Sequence, residues 1–180
     1  MQEVARQADA VCFGSLSQRT RVTRITMRYF LAEMRPNALC VFDVNLCPDC
    51  CAAEVIGESL RFADIVKLNN EEVQKSWTSC LFSIRAMNPP HFVDAASRAT
   101  EHPGYPAPVA DTIGAGDAFT AMTMDRYLRG ATPEEISDSS NRVGAWVTSQ
   151  VGATPPENGS LIRALAEMDL KKSEPTSGRH

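Results

Sequence analysis

The chain reads as an α/β domain built on a parallel sheet, and three observations predict this. Three short runs, Ala10 to Leu16, Leu39 to Asn45 and Ala63 to Asn69, are apolar at consecutive positions rather than alternating, the pattern of strands buried on both faces. Between them lie segments whose apolar residues recur at helical spacing. The connections are long enough for crossovers, so strand, helix, strand, helix, strand implies right-handed βαβ units with helices on the faces of the sheet.

Taken in order, "RVTRITMRYFLAEM" places Val22, Ile25, Tyr29 and Ala32 at helical spacing and stops before Pro36, a normal helix boundary. Val55, Ile56, Leu60 and Ala63 mark a second crossover helix. From Glu71 to Pro108 no period is sustained, and "MNPPH" and "HPGYPAP" are rich in breakers. Short strands are expected there around Leu81 to Ile84 and His91 to Val93. A helix from Ala118 to Arg129 closes on Gly130 as its C′ residue. Thr132 is the N-cap of the next, with Pro133 first and Glu135 completing a capping box. Ile136, Val143 and Val147 form its buried face, and Gly152 ends it. A third short helix, Leu161 to Met168, precedes a polar tail, 171–180, expected to be disordered.

With 180 residues, 43% of them hydrophobic, the chain suits one domain, assigned to residues 1–170. A net charge of −4 offers no general attraction to nucleic acid or to an anionic membrane. No apolar stretch approaches the ~20 residues of a membrane span, and "MQEVARQADA" lacks a signal-peptide core. A cytoplasmic protein is the expectation. The six cysteines are too sparse and irregular for a disulfide framework. Cys47 and Cys50 of "CPDCC" form one C-x-x-C, read either as ordinary loop thiols or as a redox or zinc element, the last needing a second ligand pair that His91, His102 and His180 do not supply in sequence.

The stretch that carries chemistry is "DTIGAGDAF", Asp111 to Phe119. A Gly-Ala-Gly turn opening a helix leaves backbone N–H groups unpaired and lets an anion approach. The helix terminus adds a partial positive charge of about +0.5. Asp117 shares that field and stands beside the anion as a base. A phosphate site and a base in one turn point to phosphoryl transfer to a hydroxyl. The bland alternative is a glycine-rich turn with an ordinary N-terminal helix acid. A dinucleotide fingerprint fails at its third glycine, since Asp117, Ala118 and Phe119 follow Gly116, and a P-loop fails for want of Gly-Lys-Ser/Thr.

"DTIGAGDAF" resembles the C-terminal signature of the ribokinase-like, PfkB-type carbohydrate kinases. "VCFGSLSQRT", "VFDVNLC", "ADIVKLNNEEV", "EHPGYPAPVADTIGAGDAFTA" and "NRVGAWVTSQVGATP" resemble successive blocks of its sugar and fructokinase branch, over about Val11 to Pro155. The resemblance implies a ribokinase-like parallel sheet with helices on both faces, and an ATP-dependent kinase acting on a small sugar. It implies Asp117 as catalytic base and Gly114, Ala115 and Gly116 as the anion hole for the transferring phosphoryl group. Asn69 and Glu72 match an N-x-x-E motif that helps order Mg²⁺ and phosphates, usually through water; by spacing alone "NNEE" is a helix cap with solvated acids. Thr112 falls on the nucleotide side, and Asn141 matches a residue near the adenine pocket; from the residues alone Asn141 is equally a polar position on a helix flank. Asp111 and the Ile113 backbone match positions that bind a monovalent cation, K⁺, in some relatives; on spacing alone Asp111 is a turn-forming Asx residue. Asp43 and Asn45 sit at the carboxyl end of a strand, where open α/β sheets place ligands.

The chain also departs from the family pattern. Cys47 replaces an arginine, and "RAMNPPHF" replaces a turn that normally holds glycines. The family's N-terminal strands, its glycine-rich sugar segment and its β lid have no counterpart, so the resemblance is to the C-terminal portion. A non-catalytic remnant that binds nucleotide is therefore the alternative, and a second copy or a complementing N-terminal chain is the partner class expected.

Overall fold

Leu39–Asp43 is buried at every residue and forms the strand around which the fold is organised (β2). The computed structural model describes residues 1–45, 53–68, 84–85, 91–93 and 99–155. In chain order these form α1 (Gln2–Gln7), β1 (Ala10–Gly14), a 3₁₀ turn (Leu16–Gln18), α2 (Arg21–Glu33), β2 and α3 (Ala53–Leu60). There follow β3 (Ile65–Leu68), β4 (Ile84–Arg85), β5 (His91–Val93), β6 (Ala99–Glu101), α4 (Ala115–Leu128) and α5 (Pro133–Thr148). Strands β1 to β4 make one sheet in the order β1-β2-β3-β4, parallel throughout. Strands β5 and β6 pair antiparallel in a second, two-stranded sheet.

The two faces of the sheet follow from the alternation of side chains along a strand. Cys40, Phe42 and Val44 point to one face, where Leu31, Met27 and Met34 of the α2 segment and Ile56 and Leu60 of α3 cover them. Leu39 and Val41, with Ile65, point to the other, where Met124 of α4 packs. Helices therefore flank both faces, as expected. Phe42 is fully buried and its ring stacks on Phe13 at 5.2 Å between centroids. Burial of a side chain of this class contributes about 1.5–3 kcal/mol.

Two expectations need correction. β1 is not a strand buried throughout: its burial is mixed, with Cys12 exposed, because β2 is its one strand neighbour among the described residues. Helix α2 has the predicted period but the opposite orientation. Val22, Ile25 and Tyr29 are exposed, and the buried side chain is Leu31. The helix carries two apolar stripes, and spacing alone does not say which one a sheet will cover. Its ends match expectation: the Thr20 hydroxyl accepts from the Thr23 amide, and Met34 turns extended ahead of Pro36.

Helix α4 starts at Ala115, three residues before the predicted Ala118, and reverses at Gly130 with φ +71°. Helix α5 carries the predicted capping box: Thr132 Oγ1 accepts from the Glu135 amide, and the Thr132 amide donates to Glu135 Oε2 at 2.9 Å. Replacing Thr132 with alanine is expected to lower stability by about 1 kcal/mol. An unchanged urea midpoint would count against the cap. The two helices meet over Met122, Val143 and Val147, with a buried hydrogen bond of 2.9 Å between Thr123 and Ser140.

The predicted helix at Leu161 to Met168, the tail 171–180, Leu81, Asn69, Glu72 and the "CPDCC" thiols lie outside the described residues. No helix among the described residues is long and apolar enough to cross a membrane.

Candidate functional site

The glycine turn is held from both sides before it meets any ligand. The amides of Ala110 and Asp111 donate to the Thr148 carbonyl at 2.9 and 3.2 Å, tying the strand of chain that precedes the turn to the end of α5. Asp111 then acts locally: Oδ1 accepts from the Ile113 amide at 3.0 Å, an Asx turn. Its second oxygen, Oδ2, accepts from the Gly152 amide at 3.2 Å, across 41 residues of sequence. Thr112 and Ile113 are exposed at the tip.

Gly114 is the N-cap of α4 with φ +83°. A Cβ there would lie 2.2 Å from the carbonyl oxygen of Ala153, so both backbone conformation and space demand glycine. Beyond it, Ala115 N reaches the Thr112 carbonyl only at 3.4 Å, and Ala118 N bonds to Gly114 O at 2.9 Å as the helix begins. The amides of Gly116 and Asp117 have no acceptor among the described residues. They are two of the first-turn donors a helix leaves open. Asp117 occupies the third position of α4, and both it and Gly116 are exposed.

Three strands bring further groups to this turn. Asp43 and Lys67 are register partners on β2 and β3, and Lys67 Nζ donates to Asp43 Oδ2 at 2.6 Å with side chains only 17% and 7% exposed. The same Nζ lies 3.2 Å from the position of a Cβ on Gly116. From β1, the Cys12 thiol feels all three charged groups. Although Cys12 is exposed as a residue, partial shielding of its thiol by the surrounding protein pushes it up to about 11, the charge of Asp43 adds to this, Lys67 opposes it, and Asp117 adds a little more. It is therefore a thiol, not a thiolate, at neutral pH. The carboxyl ends of β1, β2 and β3 thus converge on the N-terminus of α4, the place where open α/β sheets bind ligands. Gly14 lets β1 approach closely, since a Cβ there would meet the Asp43 carbonyl at 2.9 Å. Asn45 follows with φ 43°, its carbonyl accepting from Ser15 Oγ at 2.8 Å.

A cavity of about 330 Å³ extends from this point. It is lined by Lys67, by Ala115, Gly116 and Phe119 of α4, by Asn141, Gly144 and Ala145 of α5, and by Gly104 and Tyr105. Asn141 donates from Nδ2 to the Ser137 carbonyl at 2.8 Å, which orients its amide on the helix. Tyr105 is fastened by α5: its hydroxyl donates to Asp138 Oδ1, accepts from an Arg142 guanidinium N–H at 2.6 Å, and its ring lies 4.6 Å under that guanidinium. His102 Nε2 is 3.5 Å from Asp138 Oδ1, and its Nδ1 accepts from the Gly104 amide. For Asp138, burial raises the carboxyl pKa, but the hydrogen bonds from Tyr105 and Arg142 and the Arg142 charge outweigh it, so the net shift is downward. Burial, then the Asp138 contact, pushes the Tyr105 phenol up.

Of the residues singled out in the sequence, Ala115, Gly116 and Asn141 line one cavity, and Gly114 and Asp117 adjoin the first two in the chain without lining it. Thr112 and Asp111 precede it in the turn, and Asn69 and Glu72 lie outside the described residues. Sequence reading passed over Lys67 and Tyr105. A lysine at the end of an otherwise apolar strand was the available signal for the first. The second lay inside a breaker-rich stretch with no period to mark it.

Comparison with known proteins agrees with this architecture. Residues 92–158 match the model of the pfkB family carbohydrate kinases. An uncharacterized sugar kinase from Pyrococcus horikoshii is 28% identical over 177 residues, which are 89% of this chain and 57% of that protein. Its crystal structure in complex with ATP superposes with a TM-score of 0.78 at 26% identity, covering 93% of this chain and 62% of that one. An ATP-dependent ribose-1-phosphate kinase from Halopiger xanaduensis is 28% identical over 120 residues, 61% of this chain and 40% of that protein. The chain therefore spans about half the length of the curated relatives it matches. A parallel sheet flanked by helices, the glycine turn at the head of α4 and these similarities together support membership of the chain in the PfkB, ribokinase-like family of carbohydrate kinases.

Proposed function

We propose that this chain binds ATP in the cavity between the α4 N-terminus and α5, and serves a phosphotransferase that passes the terminal phosphoryl group to a sugar hydroxyl. The observation that carries the reading is the pair of open amides at Gly116, which lines that cavity, and at Asp117, the exposed residue that follows it in the chain. The residues suit the group: a lysine and the glycine turn line the cavity for phosphate, and a mostly apolar wall with one amide, Asn141, is available for a base. Bound there, ATP supplies the electrophilic phosphorus and the leaving group.

In this reading Asp117 accepts the proton of the attacking hydroxyl, and Gly114, Ala115 and Gly116 form the anion hole. A phosphoryl group in transfer needs positioning and charge stabilisation more than covalent chemistry, and fixed amides provide both without reorganising. Thr112 and Asn141 contact the nucleotide. Asn69 and Glu72 hold Mg²⁺ through water, which accords with that ion's reluctance to shed its hydration shell. Asp111 and Ile113 are assigned to K⁺; an ionised carboxylate has about four acceptor sites, and Asp111 uses one amide on each oxygen. The sugar and fructokinase branch, and a cytoplasmic setting, belong to the same proposal.

The test is thermal. ATP with Mg²⁺ is expected to raise the melting temperature, with about 2.7 kcal/mol of stabilisation at a hundredfold excess over Kd. No shift at millimolar nucleotide would overturn the reading. A shift without any sugar-dependent release of ADP would move it to nucleotide binding without transfer.

A further inference from the structure

The outward face of α2 is not built as a solvated helix face. Val22, Ile25 and Tyr29 recur at i, i+3 and i+7 and are 74%, 45% and 66% exposed, and Ala32 is exposed one turn further on. At about 100° per residue they form a single stripe. Apolar side chains scattered over a surface need no explanation, whereas a row of them does. An arginine precedes each of the three: Arg21, Arg24 and Arg28 run along one flank of the stripe, and Arg19 stands just ahead of the helix. Arg28 is paired with Glu58 of α3. Arg19 and Arg24 donate to the carbonyls of Leu16 and Gln18, but Arg19, Arg21 and Arg24 have no carboxylate partner among the described residues. The opposite flank carries Thr26 and Glu33, and Glu33 is held by Arg6 of α1 at 2.6 Å.

We propose that this face docks an acidic amphipathic helix of a partner protein, with the partner's apolar side chains laid on Val22, Ile25 and Tyr29 and its carboxylates along one flank, against Arg19, Arg21 and Arg24. Charge complementarity selects this occupant. Residues 19–33 hold four arginines and one acid, in a chain whose 22 acids exceed its 18 basic residues, so the positive field is local to the face. An anionic lipid surface would also meet the acidic remainder of the chain. A helix lying on a membrane carries its basic residues over the whole polar face, whereas here one flank is basic and the other is not. A second copy docking by the same face offers the same arginines and, as an acid, only a Glu33 already engaged by Arg6. Tyrosine and arginine are the side chains that protein interfaces favour, the one large and stiff, the other weakly hydrated. Helix α2 covers the sheet face opposite to α4, so docking there stands apart from the nucleotide reading of the cavity.

The probe is a fluorescent helical peptide with leucines at heptad spacing and glutamates on one flank. Its anisotropy is titrated beside that of a peptide with lysine in place of each glutamate, and the chain is also mixed with vesicles of equal parts phosphatidylcholine and phosphatidylserine. The acidic peptide is expected to bind about tenfold or more tightly than the basic one, and to weaken as salt is raised. Replacing both Arg19 and Arg21 with glutamate is expected to invert that preference, and replacing both Val22 and Tyr29 with serine to weaken the acidic peptide about tenfold. Both double variants should melt as the wild type does, because all four side chains are exposed. Equal binding of the two peptides, or binding of neither, would overturn the proposal. Binding to the vesicles without a preference between peptides would overturn it in favour of lipid. A dimer in sedimentation that Tyr29→Ser dissociates would overturn it in favour of a second copy.

Discussion

Asp117→Asn is expected to reduce sugar-dependent ADP formation by a factor of about 10²–10⁴, the range for loss of a positioned general base, while ATP binding changes little. The substitution preserves shape and removes the basic oxygen. Its structural cost is small, since Asp117 is exposed in the first turn of α4, where an acid gains only about 0.3–1 kcal/mol from the helix terminus. Fold and catalysis can therefore be read separately. The measurement is a coupled ADP assay on variant and wild type together, with nucleotide binding followed in parallel. Turnover at the wild-type rate in the asparagine variant would remove Asp117 from its proposed role, whatever the chain binds.

Gly114→Val is expected to be the most damaging single change to the site as a structure. At φ +83° a branched residue carries about 1–2 kcal/mol of left-handed backbone strain. The added Cβ would also stand 2.2 Å from the Ala153 carbonyl oxygen, and that atom is backbone, which cannot rotate aside. The combined loss should reach about 3 kcal/mol or more, in the range of severe single mutations. Gly130 is the control: its φ is +71°, yet nothing lies within 4 Å of a Cβ there, so Gly130→Ala meets strain without collision. Urea unfolding of the two variants checks the difference. Equal midpoints would mean that the segment around Ala153 yields, and that the turn is not clamped as described.

The clamp also explains why the site was only partly legible beforehand. The glycines proposed as an anion hole and Asp117 lie within four consecutive residues, so their pattern is local and shows in the string of letters. Asp111 shows half of itself: its bond to Ile113 is a local turn, whereas its bond to Gly152 crosses from one element to another. Lys67 and Asp43 are 24 residues apart and join only because β2 and β3 pair in one register. Tyr105 gains its place from Asp138 and Arg142, more than 30 residues away on α5.

The sequence by itself determined what depends on neighbours along the chain: the apolar runs that became β2 and β3, the capping box at Thr132, the reversal at Gly130, and the glycine turn with its acid. The tertiary structure alone decided which stripe of α2 is buried, that β1 carries the exposed Cys12, and that a lysine and a tyrosine belong to the cavity. The physical reason is the range of the forces involved. Hydrogen-bonded turns and caps close over three or four residues, whereas burial and ion pairing are settled by whatever the packed sheet and helices bring within a few ångströms.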